Sequence, residues 1–204
     1  MTPPRRTVVL ATHNHKKLAE LRRIVTPAVP DVEVLGLDDI GDFEEPVEDA
    51  PTFEGNALIK ARAAFAATGI PSLADDSGLC VDALNGMPGV LSARWSGPPK
   101  SDERNNTLLL AQLEDVPDER RGAQFRCAMA MVDGSVERVE TGEMRGHLLR
   151  APQGDGGFGY DPLFVAEGYD GVSTAELSPE DKDAISHRGR ALVLMVPHVA
   201  ALIS

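Results

Sequence analysis

Hydrophobic and polar residues in this chain switch between a period of two and a period of about 3.6, and the switches outline strands and helices. Thr7-Val8-Val9-Leu10-Ala11 is apolar and β-branched. Asn14 to Val25 follows with Leu18, Leu21 and Val25 at helical spacing, so a strand, a short turn and a helix are predicted. Val32 to Leu35 reads as a second strand. Leu37 to Pro51 is acidic and turn-rich, with Asp38, Asp39, Asp42, Glu44, Glu45, Glu48 and Asp49, and reads as a loop rather than an element. Thr52 to Thr68 is an Ala-rich helix with Leu58, Ala61 and Phe65 on one face, closed by Gly69 and Pro71.

Ser72 to Asp75 and Leu79 to Asp82 read as short strands around a turn at Asp75-Asp76-Ser77-Gly78. Ser101 caps a helix that runs to about Glu114, with Asp102 and Glu103 in its first turn. Ala123 to Val132 and Val136 to Arg145 form a hairpin across Asp133-Gly134. Phe125, Cys127, Met129 and Met131 on one face and Ala128, Ala130 and Val132 on the other make its first strand central. Beyond a glycine-rich loop at Gly154 to Gly159, Pro162 to Val165 is a brief strand. Ser178-Pro179-Glu180-Asp181 opens a helix. Ser186 caps a last helix with Leu192, Met195, Val196 and Val199 as its apolar stripe, which Pro197 kinks or shortens. No repeat or linker interrupts the pattern, and the whole is an α/β domain with a mixed sheet. Its 204 residues fit one large domain or one domain with two lobes.

A formal charge of −12 argues against nucleic acid as a partner, because that binding rests on neutralising phosphates with Lys and Arg. A small anionic ligand then requires the basic residues to be concentrated in one place. Cys80 and Cys127 lie in apolar runs without metal-ligand spacing and read as core residues in a reducing compartment. Met1 to Arg6 leads into too short an apolar run for a secretion signal, and no stretch is long enough to span a bilayer. A soluble cytoplasmic protein is expected.

Four segments carry candidate chemistry. Asp75-Asp76 offers a carboxylate for metal or proton work, although Asp, Ser and Gly also suit an ordinary tight turn. Thr12-His13-Asn14-His15-Lys16-Lys17 lies at a helix N-terminus, where open N–H groups and the dipole receive phosphate; its plain alternative is an Asn cap before a solvated basic turn. It lacks the GxxxxGK[ST] pattern of a P-loop. Gly154, Gly156 and Gly159 satisfy GxGxxG, but no strand feeds the loop and Tyr160-Asp161-Pro162 breaks any helix after it, so a dinucleotide fold is rejected. Phe158 and Tyr160 remain as aromatics for stacking on a base, against the plain reading of a surface loop with a buried anchor. Lys182, His187, Arg188 and Arg190 supply cations that are either solvated helix charges or donors to a base or phosphate.

The set Thr12-x-Asn14-x-x-Lys17, Phe53-x-x-Asn56-Ala57-x-x-Lys60, Ala74-Asp75-Asp76-Ser77-Gly78-Leu79, Gly86-x-Pro88-Gly89-x-x-Ser92-Ala93-Arg94, Gly156-Gly157-Phe158-Gly159-Tyr160-Asp161-Pro162 and Ser186-His187-Arg188-Gly189 resembles the inosine triphosphate pyrophosphatase family over nearly the whole chain. The resemblance implies an elongated mixed β-sheet flanked by helices, two lobes with a central active-site cleft, a homodimer, and a single catalytic domain over residues 1–204. It implies hydrolysis of deaminated purine nucleoside triphosphates (ITP, dITP, XTP) to monophosphate and pyrophosphate. By the same resemblance the phosphate turn is Thr12, His13, Asn14, His15, Lys16 and Lys17, and Asp76 is the metal-linked catalytic carboxylate. For Mg²⁺, which needs only one or two carboxylates beside phosphates and water, Glu48 of the acidic loop is the expected second ligand, and Lys60 joins Lys17 in neutralising the departing pyrophosphate. Ser77, Phe158, Gly159, Tyr160, Asp161, Lys182, His187 and Arg188 would contact the substrate. His13 departs from the family, where many members have Gly. A nucleotide-sensing module without hydrolysis and a Maf-like nucleotide pyrophosphatase are the alternatives.

Overall fold

The structure is a computed structural model that describes residues 6–41 and 43–202; Asp42 of the acidic segment and the leader reading of Met1 to Arg5 lie outside the described residues. In chain order the elements are β1 (Arg6–Leu10), α1 (His15–Ala28), β2 (Val32–Leu35), α2 (Phe53–Thr68), β3 (Ser72–Val81), α3 (Asp102–Gln112), β4 (Gly122–Val132), β5 (Glu137–Leu148), β6 (Phe164–Ala166), α4 (Pro179–Ile185) and α5 (His187–Ala201). The strands form a six-stranded sheet in the order β2-β1-β3-β4-β5-β6. β1 pairs in parallel with β2 and β3 while β5 and β6 are antiparallel, so the sheet is mixed as expected. The chain divides into two compact units, one of Met1–Asp76, Cys127–Gly142 and Arg188–Ser204, the other of Ser77–Arg126 and Glu143–His187.

The first unit has a core of Val8 and Leu10 from β1, Leu18, Leu21 and Val25 from α1, Leu73 from β3, Cys127, Met129 and Met131 from β4, and Leu192, Met195 and Val199 from α5. Helical spacing puts each α-helical trio on one stripe, and burying it drives the packing. Thr52 caps α2 by accepting from the Gly55 N–H, and Gly69 ends it at φ +67°, a left-handed conformation that glycine adopts without steric penalty. α5 continues past Pro197 to Ala201 rather than stopping there. The second unit packs Leu79, Val81, Leu109, Leu113, Phe125, Met144, Tyr160, Leu163 and Phe164. Ser101 caps α3, and Ser178 with Pro179 opens α4.

Two expectations differ from the structure. Asp75-Asp76-Ser77-Gly78 is not a turn: β3 runs unbroken from Ser72 to Val81. Its carboxylates find cationic partners, and Gly78 fits because any Cβ there would overlap the Gly89 carbonyl and the Ser92 hydroxyl. The brief strand after the glycine loop begins later, at Phe164, because Asp161–Leu163 form a 3₁₀ turn. Ser186 follows α4 and directly precedes α5, so the last helix starts at His187 as expected.

Candidate functional site

Because alternate residues of a strand face opposite ways, Asp75 shares the face of Leu73, which packs with α1 and α5, while Asp76 turns toward α2. Asp75 is 3% exposed. Both of its oxygens accept from Lys17 Nζ, at 3.0 and 2.9 Å, and Oδ2 also accepts from Arg188 Nε at 3.1 Å. Arg188 Nη1 donates to Glu20 Oε2 at 2.9 Å, and Glu20 and Arg188 are themselves buried. Burial alone would raise the Asp75 pKa; the charges of Lys17, Arg188 and Lys60 outweigh it and hold this carboxyl far below the usual carboxylate range. Burial likewise opposes the charge on Arg188, and Asp75 and Glu20 overcome it and raise its pKa.

Asp76 has a different environment. Its Oδ2 accepts from Asn56 Nδ2 at 3.1 Å, and Lys60 Nζ lies 3.5 Å from Oδ1. The same ammonium donates to Glu48 Oε2 at 3.2 Å, so one cation serves two carboxylates. Asn56, fully buried, is fixed by accepting from the Ala50 N–H at 2.9 Å. Burial pushes the Asp76 pKa up to about 6, the negative charges of Glu48 and Asp75 add to it, and Lys60 and Asn56 hold it back. Two adjacent carboxyls are thus driven apart, one firmly ionised and the other near the neutral range, which is how a fold makes a proton acceptor that works near pH 7.

The turn before α1 is built as an Asn cap. Asn14 Oδ1 accepts from Lys16 N at 3.0 Å and Lys17 N at 3.3 Å, and Thr12 Oγ1 accepts from Asn14 N at 3.1 Å. His13 Nδ1 lies 2.7 Å from Asp38 Oδ1 and its Nε2 3.4 Å from Glu45 Oε1; His15 Nε2 lies 3.5 Å from Asp38 Oδ2.

In the second unit the glycine loop is organised around Asp161. Its Oδ2 accepts from the Phe158 N–H at 2.8 Å and pairs with Lys182 Nζ, while Thr174 Oγ1 donates to Oδ1 at 3.0 Å. The Lys182 ammonium also lies over the half-buried Phe158 ring, 4.9 Å from its centroid. Gly157 is required at its φ of +69°, where a side chain would run into the Asp161 carboxyl. Tyr160 is 4% exposed and donates its hydroxyl to the Ser92 carbonyl at 2.9 Å, so it is the loop's anchor and Phe158 its half-exposed aromatic. His187 is buried, stacked on Phe125 at 5.0 Å and 14°. Ser77 is half-buried in β3.

The first unit therefore gathers Lys17, Lys60, Glu48, Asp76 and Arg188, and the second gathers Phe158, Gly159, Asp161 and Lys182. Glu20, Asn56, Asp102, Asn106 and Ser92 were not singled out as site residues from the sequence. Spacing carried part of the signal: Asn56 lies four residues before Lys60, and Glu20 three after Lys17, each pair on one helix face.

A family model described as the Ham1 family matches residues 8–198. The chain belongs to the Ham1 family. It is 60% identical over 197 residues to a dITP/XTP pyrophosphatase of Nocardia farcinica, covering 96% of this chain and 95% of that one. Among solved structures, a HAM1 protein from Coxiella burnetii matches with a TM-score of 0.87 at 36% identity, over 96% of this chain and 99% of the other. A nucleoside-triphosphatase / dITP/XTP pyrophosphatase from Mycobacterium abscessus matches with a TM-score of 0.76 at 53% identity, over 94% and 99%. Family membership agrees with the resemblance carried by the motifs. No helix among the described residues is long and apolar enough to cross a membrane.

Proposed function

We propose that this protein hydrolyses deaminated purine nucleoside triphosphates, ITP, dITP and XTP, to the monophosphate and pyrophosphate. The observation that carries the reading is the split pair at β3, an ionised Asp75 beside an Asp76 raised to about 6 and backed by Lys60. The names of its relatives supply the substrate class.

At pH 7 Asp76 is mostly ionised yet basic enough to take a proton from a water attacking the α-phosphorus. Lys60 and Lys17 supply positive charge for the departing pyrophosphate, and the α1 N-terminus, capped by Asn14, adds the favourable end of a helix dipole. Asp76 and Glu48, the two carboxylates that share the Lys60 ammonium, are the oxygen donors that would hold a hard ion such as Mg²⁺, and that ion would neutralise phosphate charge. Phe158 supplies a face for the base, held by Asp161 and Lys182, and Ser77, Gly159, Tyr160, His187 and Arg188 are the further substrate contacts of this reading. Hypoxanthine and xanthine present an acceptor at O6 and a proton at N1, and adenine reverses both. Donors placed for O6 would then face an amino group, and each unpaired buried group costs about 1–3 kcal/mol. The reading includes both units in one catalytic domain, a homodimer by family resemblance, and a cytoplasmic setting in keeping with two buried, unbridged cysteines. Neither nucleic acid nor membrane is a partner in it.

Turnover of ITP in water enriched in heavy oxygen tests the reaction. Label in the monophosphate alone is expected; orthophosphate and inosine diphosphate as products would refute it.

A further inference from the structure

We propose that Asp102 and Asn106, on α3, are positioning residues that fix the Phe158 ring for the base, an inference that rests on the nucleotide reading above. The two side chains hold one residue from both ends. Asp102 Oδ2 accepts from the Gly159 N–H at 2.7 Å, and Asn106 Nδ2 donates to the Gly159 carbonyl at 3.0 Å. Asp102 and Asn106 stand four apart, so one helix face presents both. Gly159 follows Phe158 directly and sits at φ +64°, where other residues are strained. Its orientation therefore sets the direction in which the chain delivers the ring.

The clamp has a rigid base. Leu109 in α3 and Leu113 just past its end are fully buried. Asn105 accepts from the Ser96 N–H at 2.8 Å and donates to the Ser92 carbonyl at 3.3 Å, the same carbonyl that receives the Tyr160 hydroxyl. Phe158 is thus held on one side by α3 through Gly159 and on the other by Asp161 through its own N–H. A loop of six residues with four glycines gains from two such clamps because ordering it when the base arrives would otherwise weaken binding.

The test uses the full chain with Asp102→Ala, Asp102→Asn, Asn106→Ala and the double Ala variant. ITP affinity is measured by calorimetry in chelator, and KM and kcat in parallel. The single Ala variants are expected to weaken ITP binding and raise KM about tenfold with kcat within about twofold. Inhibition by base-free tripolyphosphate should stay as in the wild type. Asp102→Asn keeps an acceptor for Gly159 and should retain wild-type affinity, which separates the hydrogen bond from the charge at the α3 N-terminus. Because both residues act on Gly159, the double variant should lose less than the product of the single effects. Wild-type ITP affinity in the folded Ala variants, or an equal loss for tripolyphosphate, would overturn the clamp. Absence of wild-type turnover would overturn the hydrolytic reading instead, with the affinities still deciding the clamp.

Discussion

Asp76→Asn should make the metal-free protein more stable at neutral pH while stopping turnover. The Asp76 carboxyl is raised from 3.8 to about 6 in the fold. Each step of one in pKa corresponds to 1.36 kcal/mol, so holding this group ionised costs the native state about 3 kcal/mol. The sign follows from proton binding. Between 3.8 and about 6 the folded chain holds a proton that the unfolded chain has released, so stability falls as pH rises through that window. The deficit is complete above it and absent below it. Asn does not ionise and escapes the deficit, though its amide turns one acceptor into a donor and loses about 1 kcal/mol of that gain. Urea unfolding in chelator at pH 8 should therefore show the variant more stable by about 2 kcal/mol, with the gap shrinking toward pH 4. A variant no more stable than the wild type at pH 8, or a gap that does not narrow on acidification, would refute the assignment of Asp76 as the strained carboxyl.

Other substitutions test the surroundings. Arg121 is 2% exposed and donates to the carbonyls of Leu148, Leu113 and Leu149 at 2.9, 2.7 and 2.8 Å. Arg121→Met leaves all three without that donor and should lower stability by about 3–5 kcal/mol in denaturant unfolding; a loss under 1 would show that they re-pair. Gly78→Ala forces a methyl group against the Gly89 carbonyl and Ser92 and should destabilise by about 1–3 kcal/mol, read as a lowered thermal midpoint. Glu48→Gln should raise the Mg²⁺ concentration for half-maximal turnover, and an unchanged metal titration would remove Glu48 as a ligand.

Local signals carried most of the helices. The Asn14, Thr52, Ser101 and Ser178 caps each satisfy backbone N–H groups within four residues, so the sequence alone displays both partners. β3 departs from its sequence signal for the opposite reason. Asp, Ser and Gly are poor strand formers, and what keeps them in a strand arrives from residues far along the chain: Lys17, Asn56, Lys60 and Arg188 at the carboxyls, Gly89 and Ser92 at Gly78. The same distance hid Glu20, whose partner Arg188 is 168 residues away. Tyr160 and Phe158 look alike as loop aromatics in sequence, and only packing distinguishes the buried ring that anchors from the ring left half-exposed.

The most direct test of the account is pyrophosphate release from ITP and from ATP, side by side, with Mg²⁺ and with chelator. The account predicts metal-dependent release from ITP at least about a hundredfold faster than from ATP. Equal rates for the two nucleotides, or ITP bound without any release, would contradict it.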